Sequence, residues 1–530
     1  MTAVPTSRQL GELVDRLAAE SRLRGTRNAG RPVATGAVAS VEVTGVTHDS
    51  RAVRRDMLFV AIPGSRVDGH DFVPAAIDAG AAGVIVERPV AGVAAPQLVV
   101  DSARGALASA AGWWYGDPSH ELTVIGITGT DGKTTTSYLA VAALEAAGVQ
   151  TGLIGTIATR IGGVTDDHAE HATTPEAPEL QATLRAMADA GDRAAVVETT
   201  SHGLALDRVA SVAYDVAILT NVTHEHLELH GTWEAYRDAK LSLFDRLRLA
   251  RRVTKPNPVA TTAIVNLDDP SAGLFIGTSR DAGAKVITYG TEPAADVRAT
   301  RIAEDGRGLH AEIATPSGDA TIDLRLAGRF NVHNALAVIA LGEALGLDPG
   351  RVREGLASVE VVPGRMERIE LGQPFGVVVD FAHSPASLTT VLDLLAPSAA
   401  ARGGGLIAVF GSAGERDTAK RPQMGRIAGE RARLVIVTDE DPRGEDRDAI
   451  LDEIARGAET AGRRRGHDLL LIPDRREAIS AAFDAARPGD IVLLAGKGHE
   501  RSIIGPDGER PWDERRVAID LLESAGYTAG

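Results

Sequence analysis

Short apolar runs alternate along this chain with stretches whose apolar residues recur at helical spacing. Residues 7–20 carry Leu10, Leu13, Val14 and Leu17 on one helix face, while 57–62 and 82–86 have the unbroken apolar character of strands covered on both sides. Trp113-Trp-Tyr-Gly-Asp-Pro118 supplies turn formers that close this first unit. Beyond it, 194–198, 216–220, 263–266 and 286–289 predict buried strands with helical segments between them, the order of a parallel sheet with crossover helices. Lys255-Pro-Asn-Pro258 predicts a surface loop within that block. After Pro363-Gly364 a further set follows at 376–380, 406–410, 434–438 and 490–494. The expectation is an α/β protein of three domains: a small N-terminal α/β domain over 1–120, a central P-loop ATPase-like domain with a mostly parallel sheet over 121–362, and a C-terminal Rossmann-like domain over 363–530.

The start of the second block carries the most specific local signal. An apolar run ends at Gly129, Thr130-Asp-Gly-Lys133 follows, and a helical pattern begins at once. Gly129 and Gly132 can take the positive φ values that turn successive N–H groups inward, and the helix starting near Lys133 aims its positive end at the same spot. Polyphosphate oxygens fill such a nest, with Lys133 as a point charge near the outer phosphates and the hydroxyl of Thr134 or Thr135 left to ligate magnesium. The glycines stand two residues closer than in the common Gly-x4-Gly-Lys-Thr loop. ATP is the expected occupant of Gly129, Thr130, Asp131, Gly132, Lys133, Thr134 and Thr135.

Composition narrows the partners. At 530 residues the chain exceeds what one core supports, and 44% apolar with 24% charged residues is the balance of a globular protein rather than a disordered one. Acidic residues outnumber basic ones, 72 to 56, for a net charge of −16, which argues against nucleic acid as a general partner while leaving room for a local nucleotide pocket. Without cysteine, neither a disulfide scaffold nor a thiolate metal site can form. The first residues lack a basic stretch followed by an apolar core, and no run approaches the ~18 apolar residues of a membrane span, so a cytoplasmic protein without membrane insertion is expected.

In open parallel sheets, ligand-binding groups collect just past the carboxyl ends of strands. Glu198 ends one such strand and precedes Thr199-Thr-Ser-His202, and after 216–220 comes Asn221-Val-Thr-His-Glu-His-Leu-Glu-Leu-His-Gly231 with Glu225, His226, Glu228 and His230 as possible ligands. Magnesium favours oxygen and keeps several waters, so one carboxylate with one imidazole makes a sparse but workable site. Spacing alone suits each histidine to a capping or core role as well as to ligation.

Taken together, Gly129-Thr-Asp-Gly-Lys-Thr-Thr135, Glu198 with Ser201-His202, Asn221-Val-Thr with Glu225-His226, and Tyr236-Arg-Asp-Ala-Lys-Leu-Ser-Leu-Phe244 resemble the Mur ligase family, over nearly the whole chain. Within it the chain is most similar to members that add a diamino acid to UDP-N-acetylmuramoyl-L-alanyl-D-glutamate. Asp131 stands where the family usually has asparagine. The resemblance implies an ATP-dependent amide ligase of peptidoglycan precursor synthesis, working through an acyl phosphate of the D-glutamate carboxylate. It implies catalytic roles for Lys133, Glu198, His226 and Lys240, with Lys240 carbamylated so as to share Mg2+ with Thr134, Glu198 and His226. Asn334, Arg365, Asp380 and His383 would contact ATP as the last domain closes. Ser50 and the turn with Ser65, Arg66 and Val67 would hold the uridine diphosphate, and Thr173, Thr174, Thr200 and Arg208 the muramoyl dipeptide. Ala172 and Leu206 occupy places where related enzymes often carry polar side chains. A monomer acting on small molecules is the expected form.

The stretches 410–417, 438–443 and 496–500 resemble the family's amino-acid pocket. There Arg416 and Arg443 would hold carboxylates by forked hydrogen bonds and Glu500 would meet an amino group, with Glu440, Asp441, Pro442 and Gly496 beside them. Members specific for meso-2,6-diaminopimelate usually read Asp-Asn-Pro-Arg, whereas this chain reads Glu440-Asp-Pro-Arg443. The extra charge of Asp441 brings L-lysine and L-ornithine back into contention, while Arg443 and Gly-His-Glu keep diaminopimelate slightly ahead. The rivals are a ligase that extends folate with glutamate and a non-catalytic ATP-binding regulatory protein; retention of Lys133, Glu198, His226 and Lys240 weighs against the second.

Overall fold

The computed structural model describes residues 5–64, 67–166, 172–223, 230–305 and 308–528. Among them, one eleven-stranded and two six-stranded sheets organise the chain. The N-terminal sheet runs in the order Arg31–Val33, Leu23–Asn28, Gln97–Val100, Gly83–Val86, Leu58–Val60, Val46–Thr47; its last four members are parallel and its first two antiparallel. Helices Leu10–Ala19 and Ala103–Tyr115 cover it with Leu10, Leu13, Val14, Leu17 and Leu107. The Trp113–Trp114 pair is helical rather than part of a turn. A run rich in alanine carries the helix to Tyr115, and Gly116, at φ 71°, ends it. Trp113 then donates its indole N–H to Glu12 at 2.9 Å.

The phosphate-loop strand Thr123–Thr128 lies inside the central sheet, parallel to Ala194–Glu198 on one side and Val216–Leu219 on the other. Covered on both faces, it has no exposed position, which explains its unbroken apolar sequence. Parallel strands Thr262–Asn266 and Lys285–Gly290 continue the sheet, and three strands spanning 297–324 extend it with antiparallel pairings. That extension escapes a sequence reading, because its strands alternate apolar with charged residues. Val297, Leu309, Ala311, Ile313, Ile322 and Leu324 nonetheless join the core that holds helix Phe330–Leu345. The C-terminal sheet runs Glu367–Ile369, Gly376–Asp380, Ile491–Ala495, Leu406–Phe410, Leu434–Val437, Leu469–Leu471, parallel except for its first member. No helix among the described residues is long and apolar enough to cross a membrane.

The 255–258 stretch differs from its surface-loop expectation at its first residue. Lys255 is buried; its Nζ lies 2.5 Å from Asp215 Oδ2 and donates to the carbonyls of Leu122 and Ala213 at 3.0 and 2.8 Å. Asp215 also accepts from the N–H of Val124, so one ion pair joins the amino ends of two neighbouring strands. Burial pushes Asp215 up and Lys255 down, and each opposes the other's shift through their mutual attraction. Lys255→Met should cost about 3–5 kcal/mol, because it leaves a buried carboxylate without its partner. The measurement is the urea midpoint of the transition that exposes this domain, and Lys255→Met/Asp215→Leu should recover part of the loss.

Candidate active site

Gly129 and Gly132 have φ of 154° and 84°, and helix Lys133–Ala146 starts at once from Gly132 as its N-cap. The turn after the next strand braces the loop. Asn221 accepts from the N–H groups of Thr130 and Asp131 at 2.8 and 3.0 Å, and Thr220 Oγ1 donates to the Asp131 carbonyl at 2.6 Å. Lys133 Nζ donates to the carbonyls of Gly129 and Thr130 at 3.0 and 2.8 Å, which leaves the ammonium over the loop. Thr135 is buried at the helix start. Asn334, on helix Phe330–Leu345, accepts from Thr136 Oγ1 at 3.2 Å and lies against Gly132, where a Cβ would come 2.6 Å from its Oδ1.

A fully buried carboxylate stands beside this loop. Glu198 Oε2 accepts from Thr134 Oγ1 at 2.9 Å and Thr156 Oγ1 at 2.7 Å, and Oε1 accepts from the N–H of Thr156 at 3.2 Å. Gly155 leaves the flank of Glu198 open; a Cβ there would sit 2.7 Å from Oε1. Thr128 Oγ1 and Ser201 Oγ, on the adjacent strand and the following turn, are sealed from water without a hydrogen-bond partner. One carboxylate with hydroxyls is an oxygen donor set suited to magnesium that keeps waters and substrate oxygens, and the residues fit that ion. Among the described residues no cluster of three His, Cys, Asp or Glu forms a closed metal cage.

The dipeptide candidates connect to the same carboxylate. Thr174 Oγ1 donates to the Glu198 carbonyl at 2.8 Å and lies 3.0 Å from Thr200 Oγ1. Arg208 donates to the Thr174 carbonyl at 2.8 Å and pairs with Glu176 at 2.8 Å, and Thr173 Oγ1 lies 3.1 Å from Thr156 Oγ1. Lys240 is buried on helix Trp233–Asp245; its Nζ lies 2.7 Å from the Gly129 carbonyl and 4.3 Å from the Tyr236 ring centroid. Tyr236 in turn places its hydroxyl 3.0 Å from Thr130 Oγ1. His226, with Glu225 and Glu228, and the turn residues Ser65 and Arg66 lie outside the described residues. Ser50 sits in a short 3-10 turn capped by Asp49, and Val67 is exposed.

Pro363-Gly-Arg365 passes beside the 496–500 loop, where a Cβ on Gly364 would meet the His499 N–H nitrogen at 2.3 Å. The Arg365 guanidinium lies 4.6 Å from the Phe381 ring centroid. Asp380 accepts from the N–H groups of Met366 and Ala382, both at 2.8 Å. Burial pushes Asp380 up, Arg365 pulls it down, and the charge of Asp131 adds to the rise. The His383 ring lies tilted against Phe381, with centroids 4.5 Å apart.

Glu440, Asp441 and Pro442 are buried at the end of strand Leu434–Val437, while Arg416 is exposed on the neighbouring 411–417 loop. Glu440 Oε2 has no hydrogen-bond partner and stands where a Cβ on Gly496 would come within 3.0 Å. Asp441 Oδ1 accepts from Lys497 Nζ at 2.8 Å and from the N–H of Ile504 at 3.0 Å. The added charge that the sequence exposes at Asp441 therefore has a counter-ion. Glu500 pairs with the same lysine at 2.5 Å. Met366, Glu415 and Arg443 hold φ of 49°, 55° and 53°, so left-handed backbone in side-chain-bearing residues falls at or next to Arg365, Arg416 and Arg443. Strain of this kind persists where surrounding structure enforces a particular side-chain direction.

Sequence reasoning missed Thr156, Arg475 and Lys497. Thr156 follows a strand in Gly155-Thr156, a signal that was available. Arg475 opens helix Arg475–Ala485 fully buried, paired with Glu514 at 2.7 Å and donating to the carbonyls of Asp439 and Ala495 at 2.9 and 2.8 Å; nothing local distinguishes it from a solvated helix arginine.

Three family profiles match this chain: one described as Mur ligase family, catalytic domain over 42–114, one as Mur ligase middle domain over 127–342, and one as Mur ligase, glutamate ligase domain over 364–498. A protein of Roseiflexus sp. (strain RS-1) named UDP-N-acetylmuramyl-tripeptide synthetase is 49% identical over 490 residues, covering 92% of this chain and 96% of that one. A Geobacter metallireducens protein named UDP-N-acetylmuramoyl-L-alanyl-D-glutamate--2,6-diaminopimelate ligase is 41% identical, covering 94% and 98%. A solved structure with the same printed name superposes with a TM-score of 0.63 at 30% identity, covering 93% and 97%.

At the phosphate loop, a Cβ on Gly129 would come 1.8 Å from Thr220 Oγ1. Gly129→Ala should therefore weaken ATP binding about tenfold or more, through this overlap and through strain at its positive φ. Calorimetric titration with a non-hydrolysable ATP analogue measures it, and adding Thr220→Ala should recover only the part due to overlap.

Proposed function

This chain belongs to the Mur ligase family, and we propose that it couples ATP cleavage to the joining of a diamino acid to UDP-N-acetylmuramoyl-L-alanyl-D-glutamate, a step of peptidoglycan precursor synthesis. The observation that carries the reading is one hydrogen-bonded path. It runs from Thr134 of the phosphate loop through Glu198 to Thr174, Thr200 and Arg208, and so joins a nucleotide loop to a cluster of polar side chains past the end of the neighbouring strand. A ligase that activates a carboxylate needs the outer phosphate and that carboxylate in adjoining places. Residues 1–120 would bind the uridine diphosphate, 121–362 ATP, and 363–530 the incoming amino acid. The enzyme would work as a cytoplasmic monomer on small-molecule substrates.

In this reading the D-glutamate carboxylate attacks the γ-phosphate, giving an acyl phosphate and ADP; the acceptor amine then attacks the acyl carbon and phosphate leaves as the amide forms. Lys133 neutralises charge on the transferring group, and the loop N–H groups and helix terminus hold the remaining phosphates. Glu198 and Thr134 would hold Mg2+ together with His226 and a carbamate on Lys240; the ion would supply positive charge to offset that of the phosphates. For the carbamate, the neutral Lys240 amine would add to carbon dioxide and lose a proton; the side chain is buried, with Nζ 2.7 Å from the Gly129 carbonyl. Asn334, Arg365, Asp380 and His383 would close over the nucleotide.

The acceptor pocket would be formed by Arg416, Glu440, Asp441, Pro442, Arg443, Gly496 and Glu500. Relatives named for 2,6-diaminopimelate support that acceptor, and Arg443 offers a guanidinium to its second carboxylate. L-Lysine or L-ornithine is the second reading, favoured by the unpartnered Glu440 oxygen, which suits an amine better than a carboxylate. Incubating the protein with ATP, the UDP-muramoyl dipeptide and each diamino acid in turn, with phosphate release and product mass as readouts, identifies the acceptor; release that ignores both dipeptide and amino acid defeats the ligase assignment.

Lys133→Ala should abolish turnover while its circular dichroism stays that of the native protein, and near-normal ADP release from it would contradict the role given to the loop. Lys240→Ala should lose activity and regain part of it with a small carboxylic acid that stands in for the carbamate; no recovery with any acid tried would remove the carbamate from the site.

A further inference from the structure

The acceptor pocket brings three carboxylates together from two loops. Glu440 and Asp441 are buried, and Glu500 is half-buried. Like charges this close repel one another, so something must offset them before a ligand arrives. Arg475 lies below, paired with Glu514; its charge also reaches Glu440 and Glu500, but its remaining donors pin the carbonyls of Asp439 and Ala495, the residues just before Glu440 and Gly496, and not a pocket carboxylate. Lys497 is the cation set between the carboxylates. It is fully buried, with Nζ 2.8 Å from Asp441 Oδ1 and 2.5 Å from Glu500 Oε2.

The two carboxylates depend on this lysine unequally. The 441–443 turn is also tied to Ile504 by two bonds, the Ile504 N–H on Asp441 Oδ1 at 3.0 Å and the Arg443 N–H on the Ile504 carbonyl at 2.9 Å. Among the described residues no backbone N–H holds the Glu500 carboxylate, and Lys497 is its ion-pair partner. Gly496 and Gly498, at φ 101° and 49°, flank Lys497 and turn it inward while Glu500 stays at the rim. Loss of the lysine would therefore leave the turn in place and release Glu500.

We propose that Lys497 is a positioning residue for acceptor recognition: its buried ammonium clamps Glu500 to Asp441 and so fixes where the Glu500 carboxylate stands to receive the amine of the diamino acid. The inference rests on the ligase reading above and deepens it, adding a residue that acts through Glu500 rather than on the substrate. Burial alone would lower Lys497, but Glu500 and Asp441 outweigh it and hold its ammonium above the ordinary value, so the clamp stays charged. Burial pushes Glu500 up, Lys497 pulls against that, and Glu440 and Asp441 add to the rise; without the lysine, the carboxylate would lose its attractive partner as well as its place.

The test compares wild type with Lys497→Met and with Lys497→Met/Asp441→Asn, in which one carboxylate charge is lost along with the ammonium. Steady-state phosphate release is followed with ATP, the UDP-muramoyl dipeptide and whichever diamino acid the wild type uses. Both variants should raise the KM for the diamino acid by about tenfold or more, the size of one charge-assisted hydrogen bond, with the KM values for ATP and dipeptide within about twofold of wild type. An unchanged diamino-acid KM in Lys497→Met overturns the clamp, as does a uniform rise in all three KM values. Full recovery in the double variant also overturns it, because net charge and not position would then be what matters. If Lys497→Met does not fold, the double variant decides by the same KM split; failure of both to fold assigns the lysine a structural role and overturns the proposal. Wild-type release that ignores every diamino acid is a separate outcome, which removes the ligase reading and the clamp with it.

Discussion

A carboxylate buried at the end of a parallel strand is costly unless its surroundings complete it, and Glu198 sets that constraint for the rest of the site. Its oxygens are satisfied by Thr134 from the phosphate loop and by Thr156 from the neighbouring turn. Those donors exist only if Thr123–Thr128 and Ala194–Glu198 pair in register, which places Glu198 opposite Ile127 and just below the loop. Gly155 must lack a side chain for the same carboxylate to stay open on one flank. One buried charge thus ties together sheet order, loop conformation and the cluster of Thr156, Thr174 and Thr200 at the end of the strand.

Buried charges recur with a different purpose at the other end of the sheet and in the last domain. Lys255 and Asp215 join the amino ends of strands, far from the carboxyl ends where ligands bind, and their pairing serves stability. Arg475 with Glu514 performs a related task under the 438–443 and 496–500 loops, using its spare donors on the carbonyls that precede Glu440 and Gly496. An arginine suits that post because its planar fork reaches several acceptors at once. The loops above it then bring three carboxylates together on a fixed backbone.

Much of the architecture is legible along the chain, because strands buried on both faces announce themselves as unbroken apolar runs and the phosphate loop carries glycines where positive φ is required. The strands ending at Glu198, Asp380 and Phe410 lie at the expected residues. Legibility ends where one face is wet or where context overrides a local signal. The antiparallel extension over 297–324 alternates apolar and charged residues, and the tryptophans before Gly116 belong to a helix that alanine carries through them. Lys255, beside two prolines, has the sequence of a surface loop and the environment of a core.

The sequence by itself determined the phosphate loop, the strands that frame it, and the identity of the polar residues at their carboxyl ends, because backbone conformation and double-sided burial leave local marks. Tertiary structure decided which of those polar residues meet: Thr134 with Glu198, Lys240 with the Gly129 carbonyl, Asn334 with Thr136, and Lys497 with Asp441 and Glu500. Apart from Lys497 with Glu500, three residues along the same loop, each of these contacts joins segments that sheet order and crossover connections bring together, and a lysine or threonine carries no local sign of the partner it will find across such a distance. The charge on Asp441 illustrates the division, since the residue is visible in the sequence and its counter-ion only in the fold.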